Sequence, residues 1–346
     1  MKTPKNSPIQ NRFNCFVQFI SPDPKRRRKY EHRAKEIIGY IEKRLASDSY
    51  TLSGSTLAGS FAKKTGLRRH LEGPNEVEGL DIDLVFILKN EDLKGKSLTS
   101  IILVLEEYLR DHYPDSAVGH TKSSATISFK ADRLSFDVVP LITTEKPGVF
   151  QLNRTDHQSR RSSVKEHTRF IQARTACSQG MNEAVHFNNC LRLVKWWRYQ
   201  RQSEKGLFGN GKNDTKVPSF LLDLLCAKAF DRVKVAQTYP ETLYKWFEFI
   251  QAEIEHRKPV LFTKHVKNYD LSPNQHWHVM DPLDKSNNVV MKWNISKIDE
   301  LGRWFKESLP PLKKAILLDR KGEYDESLKL LVKLFGPSIK TYCKQA

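Results

Sequence analysis

Residues 80–88 read LDIDLVFIL. The apolar, β-branched run predicts a buried strand with an acidic start. Asp81 and Asp83 are two apart, so a strand sends both side chains to one face, roughly 6–7 Å apart along the backbone. Two like charges beside an apolar run cost free energy unless a cation joins them. An isolated pair also fits a solvated strand end. A second stretch, LSFDVVPLI at 134–142, weighs against that. Asp137 stands in mid-strand between Phe136 and Val138, where a solvent-facing filler is out of place. If the two strands are neighbours, three carboxylates converge. Three hard oxygen donors plus substrate phosphates are what Mg²⁺ prefers. Two such ions about 3.5–4 Å apart activate an attacking hydroxyl and steady a leaving pyrophosphate.

Just upstream lies SGSTLAGSFAKKTGL, residues 53–67, with two Gly-Ser pairs. Glycine lets a backbone approach a phosphate closely. Gly59-Ser60, followed by Phe-Ala-Lys-Lys-Thr, is the predicted phosphate turn. Gly54-Ser55 is the strand or turn before it.

Around this centre the chain reads as α+β. Residues 24–47 place Ala34, Ile37, Ile38, Ile41 and Leu45 at helical spacing behind a basic first turn. Residues 66–80 read as a loop and 97–113 as an amphipathic helix. Residues 125–130 and 134–142 pair as a hairpin across a turn at Ala131-Asp132-Arg133. Residues 150–165 are polar and basic. Helical patterns then cover 164–175, 184–202, 218–235, 240–257, 296–308 and 322–335, with irregular chain at 263–293. The expected organisation is a mixed-sheet lobe with an N-terminal helix over 1–150 and a helical lobe over 151–346.

Composition narrows the partners. A net charge of +18 over 346 residues attracts polyanions: nucleic acid, nucleotides or anionic membrane. The basic tracts Arg26-Arg27-Arg28-Lys29 and Arg160-Arg161 suit long nucleic acid, a partner or merely solvent. No run approaches the roughly 18 apolar residues of a membrane span. The first residues have no apolar signal core. Five scattered cysteines without a CxxC pair predict reduced thiols in a cytoplasm. The His-Trp-His at 276–278 lacks partners at zinc spacing and reads as surface or packing.

Five segments in order carry a family resemblance: AGSFAKKT (58–65), LDIDLVF (80–86), LSFDVVP (134–140), the pair LRLVKWWRYQ (191–200) with VPSFLLDLL (217–225), and MDPLDKSNNV (280–289). The set resembles the cGAS/DncV-like nucleotidyltransferases (CD-NTases), bacterial enzymes of CBASS anti-phage signalling within the DNA polymerase β-like superfamily. The resemblance implies a polymerase β-like lobe followed by a helical lobe like that of oligoadenylate synthase. It also implies joining of NTPs, ATP among them, into a cyclic di- or trinucleotide that a separate effector reads.

Asp81 and Asp83 would hold two Mg²⁺, with Mn²⁺ as a substitute. Asp137 would bind the ion at the attacking hydroxyl. Gly59, Ser60, Lys195 and Ser219 would hold the triphosphate, and Phe220 would stack on a base. A lysine on an apolar helix suits phosphate as a point charge. Trp196, Trp197 and Phe220 read equally well as core aromatics. Arg192, Lys195 and Arg198 do not share one face, which predicts that some of them are solvated. No His followed by clustered cysteines matches the zinc thumb of cyclic GMP-AMP synthase, so a DNA-dependent switch of that kind is not implied. A regulatory protein partner is compatible with the family, and a membrane is not implied. Two alternatives remain open at this level. One is template-independent RNA or linear 2′–5′ nucleotidyl transfer. The other is an inactive nucleic-acid-binding module.

Overall fold

The computed structural model describes residues 7–68, 70–72, 75–77, 81–93, 97–130, 134–145, 150–153, 159–204 and 217–340. The chain forms two compact units. One is Pro22–Arg169, and the other joins Met1–Ser21 to Phe170–Ala346. The sequence texture had suggested a division at 150/151, so the units differ from it by an N-terminal segment and by residues 151–169.

The first unit is built on a sheet that has, among the described residues, seven strands. Its main path runs β1 (Leu52–Leu57), β4 (Asp81–Leu88), β7 (Leu134–Thr143), β6 (Ala125–Phe129), β5 (Ala117–His120). β8 (Phe150–Asn153) adds to β7, and β9 (Ser159–Ser162) to β8. β4 and β7 are parallel, and the other pairs are antiparallel. The mixed sheet is as expected, and so is the hairpin of β6 and β7. The turn predicted at 131–133 lies outside the described residues.

Alternation decides what each sheet face does. Ile82, Leu84, Phe86 and Leu88 of β4, with Phe136 and Val138 of β7, are fully buried. They pack in one core with α2 (Pro24–Ser47), through Tyr30, Ala34, Ile37, Ile41 and Leu45, and with α4 (Leu98–His112), through Ile101, Ile102, Leu105 and Leu109. The predicted 3.6-residue stripe on 24–47 is this packed face. The other sheet face carries a small cluster of Ala58, Val85 and Leu141, flanked by Ile87 and Val139. Asp83 and Asp137 alternate onto that second face.

The second unit is helical. It comprises α1 (Pro8–Ile20), most of α5 (Val164–Met181), α6 (Phe187–Glu204), α7 (Ser219–Val233), α8 (Tyr239–Glu255), α9 (Ile295–Arg320) and α10 (Tyr324–Phe335). Its core is aromatic. Trp196 and Trp197 are fully buried, and their indoles donate to Phe335 O and Ser308 Oγ. The reading of these tryptophans as core aromatics holds. Phe13 and Phe16 of α1 meet Phe335 and Trp196 edge-on at 5.4 and 5.6 Å.

Several expectations need correction. Residues 8–20 form a helix that the charge-poor terminal segment did not announce, because its stability comes from burying Ile9, Phe13, Phe16 and Ile20. The predicted loop at 66–80 contains a short hairpin, β2 (His70–Glu72) with β3 (Asn75–Val77). The polar stretch after 150 contains β8 and β9, which extend the sheet edge. α9 runs through Pro310-Pro311, although proline lacks the N–H and disfavours a helix interior. Burial of Leu312, Ala315 and Ile316 beyond the pair offsets that cost. Cys15 is disulfide-bonded, whereas Cys177, Cys190 and Cys226 are free thiols. Sequence spacing carries no information on which cysteines meet in space.

Candidate active site

The parallel pairing of β4 with β7 sets the site. Asp83 stands level with Asp137, and Asp81 opens its strand opposite Ser135. Adjacent strands lie about 4.8 Å apart. Both Asp83 and Asp137 are half-buried. Two carboxylates at neighbouring positions repel by a few kcal/mol at an effective dielectric of about 20. Hard, anionic oxygens held together in this way suit a divalent cation such as Mg²⁺. Asp83 and Asp137 would be the described ligands, with Asp81 beginning the same strand.

The turn after β1 is built onto that pair. Ala58 N–H donates to Asp83 O at 2.8 Å, which ties the end of β1 to β4. Gly59 follows at φ +60° and opens the short helix α3 (Gly59–Ala62). A Cβ on Gly59 would lie 1.6 Å from Asp83 Oδ2. The carboxylate therefore rests directly against the glycine Cα. Only glycine accepts both the left-handed conformation and that contact. Ser60 O accepts from Thr65 and Gly66 N–H, which closes the turn, and Phe61 and Thr65 are buried. Gly59, Asp83 and Asp137 thus stand together on one side of the sheet.

The other Gly-Ser pair lies within β1. Ser55 Oγ donates to Glu42 Oε1 of α2 at 2.6 Å. Ser55→Ala is therefore expected to cost about 1 kcal/mol of stability and to leave catalysis alone. Ser60→Ala is expected to lower kcat/KM roughly tenfold, the worth of a hydrogen bond to a charged group. Steady-state kinetics with thermal melting of both variants checks this. A reversed pattern would move the phosphate turn to Gly54-Ser55.

The remaining candidates belong to the helical unit. Lys195 on α6 is 2% exposed, and its Nζ pairs with Asp223 Oδ1 of α7 at 2.9 Å. Ser219 opens α7 and accepts from Arg198 Nη1 at 3.2 Å. Phe220 is half-buried beside it. The structure thus places Lys195 and Ser219 on the facing helices α6 and α7, a turn apart and with different partners, and Asp83, Asp137, Gly59 and Ser60 together in the sheet unit. Arg192, Lys195 and Arg198 are all buried, at 8%, 2% and 1% exposure, so the expectation that some are solvated fails. α6 is enclosed by α1, α7 and α10, and each of its cations finds a polar partner. Arg192 donates to Asn189 Oδ1, for example. Sequence reasoning missed Asp223 and Arg198. Asp223 is legible afterwards as a carboxylate four residues beyond Ser219 on an apolar helix.

The segment at 280–289 has a structural role. Asp281 is 2% exposed and accepts from Leu283 N–H and Asn287 Nδ2. Asn288 accepts from Val279 and Val290 N–H and donates to Trp277 O. These side chains satisfy buried backbone in an irregular stretch.

Residues 8–174 match the model of the Second Messenger Oligonucleotide or Dinucleotide Synthetase domain. The cyclic AMP-AMP-AMP synthase of Escherichia coli MS 115-1 is 25% identical over 282 residues, covering 79% of this chain and 80% of that protein. The CBASS oligonucleotide cyclase CdnC of E. coli KTE188 is 25% identical over 322 residues, covering 91% and 92%. The chain is therefore similar to the CD-NTases. Its fold agrees with solved structures of CdnC from E. coli MS115-1. The one with ATP has a TM-score of 0.76, 21% identity, and coverage of 96% of this chain and 99% of that one. The one with HORMA-deltaN has a TM-score of 0.72, 21% identity, and coverage of 96% and 98%. The matched domain and these relatives are oligonucleotide synthases, and the solved structures share the fold expected from the sequence. No described helix is long and apolar enough to cross a membrane.

Proposed function

We propose that this protein is a CD-NTase that joins NTPs, ATP among them, into a cyclic di- or trinucleotide, releasing pyrophosphate at each bond, and that the product serves anti-phage defence in the cytoplasm through a separate effector. The observation that carries the reading is Asp83 level with Asp137 on a parallel strand pair, with Gly59 lying against the Asp83 carboxylate. Asp81, Asp83 and Asp137 would hold two Mg²⁺, or Mn²⁺ in its place. Bound there, the ions would neutralise phosphate oxygens and lower the pKa of the attacking hydroxyl. Asp137 would bind the ion at that hydroxyl and help its deprotonation. The Gly59–Ser60 turn holds the triphosphate through backbone N–H groups and the Ser60 hydroxyl. On the helical unit, Lys195 and Ser219 are the candidates for phosphate contacts and Phe220 for a base.

The test is incubation of the purified protein with labelled NTPs in Mg²⁺ or Mn²⁺, phosphatase treatment, and mass spectrometry of what survives. Phosphatase-resistant small products support cyclisation. Linear 2′–5′ oligomers, or label transferred to added RNA, would replace it with one of the alternative transfers.

The HORMA complex of the relative CdnC supports a regulatory protein partner here as well. Long nucleic acid is not needed to account for the positive charge, since each NTP carries about four negative charges. Turnover without DNA or RNA is therefore expected to be substantial. Arg26 and Arg28 are exposed at the start of α2, and their reversal to Glu should leave it nearly unchanged. Arg27 is excluded from that test because its guanidinium lies 4.8 Å over the Phe61 ring of the phosphate turn. The measurement is turnover with and without duplex at low and physiological salt. A nucleic-acid requirement that the Arg26/Arg28 variant abolishes, with binding that falls by roughly 0.9 log units per neutralised phosphate per log unit of salt, would make the protein a nucleic-acid sensor.

A further inference from the structure

α6 and α7 are joined by two polar rungs. Lys195 of α6 pairs with Asp223 of α7, both side chains being 3% exposed. Three residues on, Arg198 donates from Nη1 to Ser219 Oγ at 3.2 Å and to Val217 O at 2.6 Å. Ser219 and Asp223 are four apart on α7 and therefore share a face. The guanidinium is 1% exposed. A buried cation is expensive unless its hydrogen bonds are made, so this placement is a specific one.

We propose that Arg198 is a positioning residue that turns the Ser219 hydroxyl into a dedicated donor to the substrate's phosphates. A guanidinium carries only N–H donors and never accepts. Ser219 Oγ must therefore act as the acceptor in their bond. Its single hydrogen is left to point elsewhere, and a hydroxyl proton suits an anion. The same nitrogen, bound to Val217 O, holds the chain where it enters α7. Pro218, the residue before the helix, contributes no side-chain cap. Arg198 thus fixes both the position and the polarity of Ser219 without touching substrate. The inference rests on the reading that Ser219 meets the triphosphate.

The test is a double-mutant cycle on the full chain, read as affinity for a non-hydrolysable ATP analogue, with thermal melting alongside. Ser219→Ala is expected to weaken the analogue about tenfold. Arg198→Lys, which keeps a cation but not the fork, is expected to weaken it by a similar factor in the wild-type background. In the Ser219→Ala background, Arg198→Lys should have no further effect, because its influence passes through the lost hydroxyl. A purely structural role would cost the same in both backgrounds, and additive losses overturn the proposal while leaving the Ser219 reading intact. No effect of Ser219→Ala on affinity overturns the Ser219 reading itself. Arg198→Gln, which keeps an N–H for Val217 O, repeats the cycle if the Lys variant does not fold.

Discussion

A protein carrying Asp83→Asn and Asp137→Asn is expected to lose turnover by more than about a thousandfold, in Mg²⁺ and in Mn²⁺, and still to fold. Metal-held charge stabilisation of a phosphoryl transition state supplies several kcal/mol, and each 1.36 kcal/mol is a factor of ten in rate. Asn keeps the shape of Asp and one acceptor oxygen, but it removes the anionic charge that a divalent ion needs. The two positions face each other across parallel strands on the side of the sheet away from the main core. Their neutralisation therefore leaves Ile82, Leu84, Phe136 and Val138 packed as before. The measurement is product formation beside a thermal melt. Retained turnover by the folded variant would remove these carboxylates from the chemistry.

Gly59→Ala gives the second large effect, a loss of at least about a hundredfold in kcat/KM with a modest loss of stability. Alanine at φ +60° costs roughly 1–2 kcal/mol on conformational grounds alone. The greater damage is steric. The new methyl would fall 1.6 Å from Asp83 Oδ2, so the carboxylate or the turn must move by more than an ångström. A misplacement of about 1 Å can cost a hundredfold in rate. Kinetics and melting of Gly59→Ala beside Ser55→Ala separate this from general damage, because Ser55 lies on the same strand-and-turn segment but bonds to Glu42. Near-normal turnover in Gly59→Ala would mean that the Asp83 position seen here is not the one used in catalysis.

Both effects trace to residues that could be named from the chain alone, and the reason is local. Period-two alternation places Asp83 and Asp137 off the apolar face of their strands whatever the strands pair with. Gly59-Ser60 is a short-range turn whose chemistry needs no distant partner. The apolar stripe of 24–47 likewise follows from spacing, and α2 covers that range. The order of five motifs carried the family resemblance, at an identity of only 25% to the relatives.

Contacts distant in sequence were not legible. That Asp83 and Asp137 stand level depends on the register of β4 with β7, which no local pattern encodes. The reach of the Asp83 carboxylate to the Cα of Gly59 depends on that sheet. Arg192, Lys195 and Arg198 looked solvated because helical spacing spreads them around α6, and only the enclosing helices decide that every face is buried. Arg198 meets Ser219 and Lys195 meets Asp223 across separate helices. α1 exists because Phe13 and Phe16 find Phe335 and Trp196 far along the chain. By itself, then, the sequence indicated most of the element types, the candidate residues of the site and the family resemblance, all of which rest on short-range periodicity and motif order. Only the tertiary structure decided which of those charges face one another, because that depends on strand register and helix packing between residues tens to hundreds of positions apart.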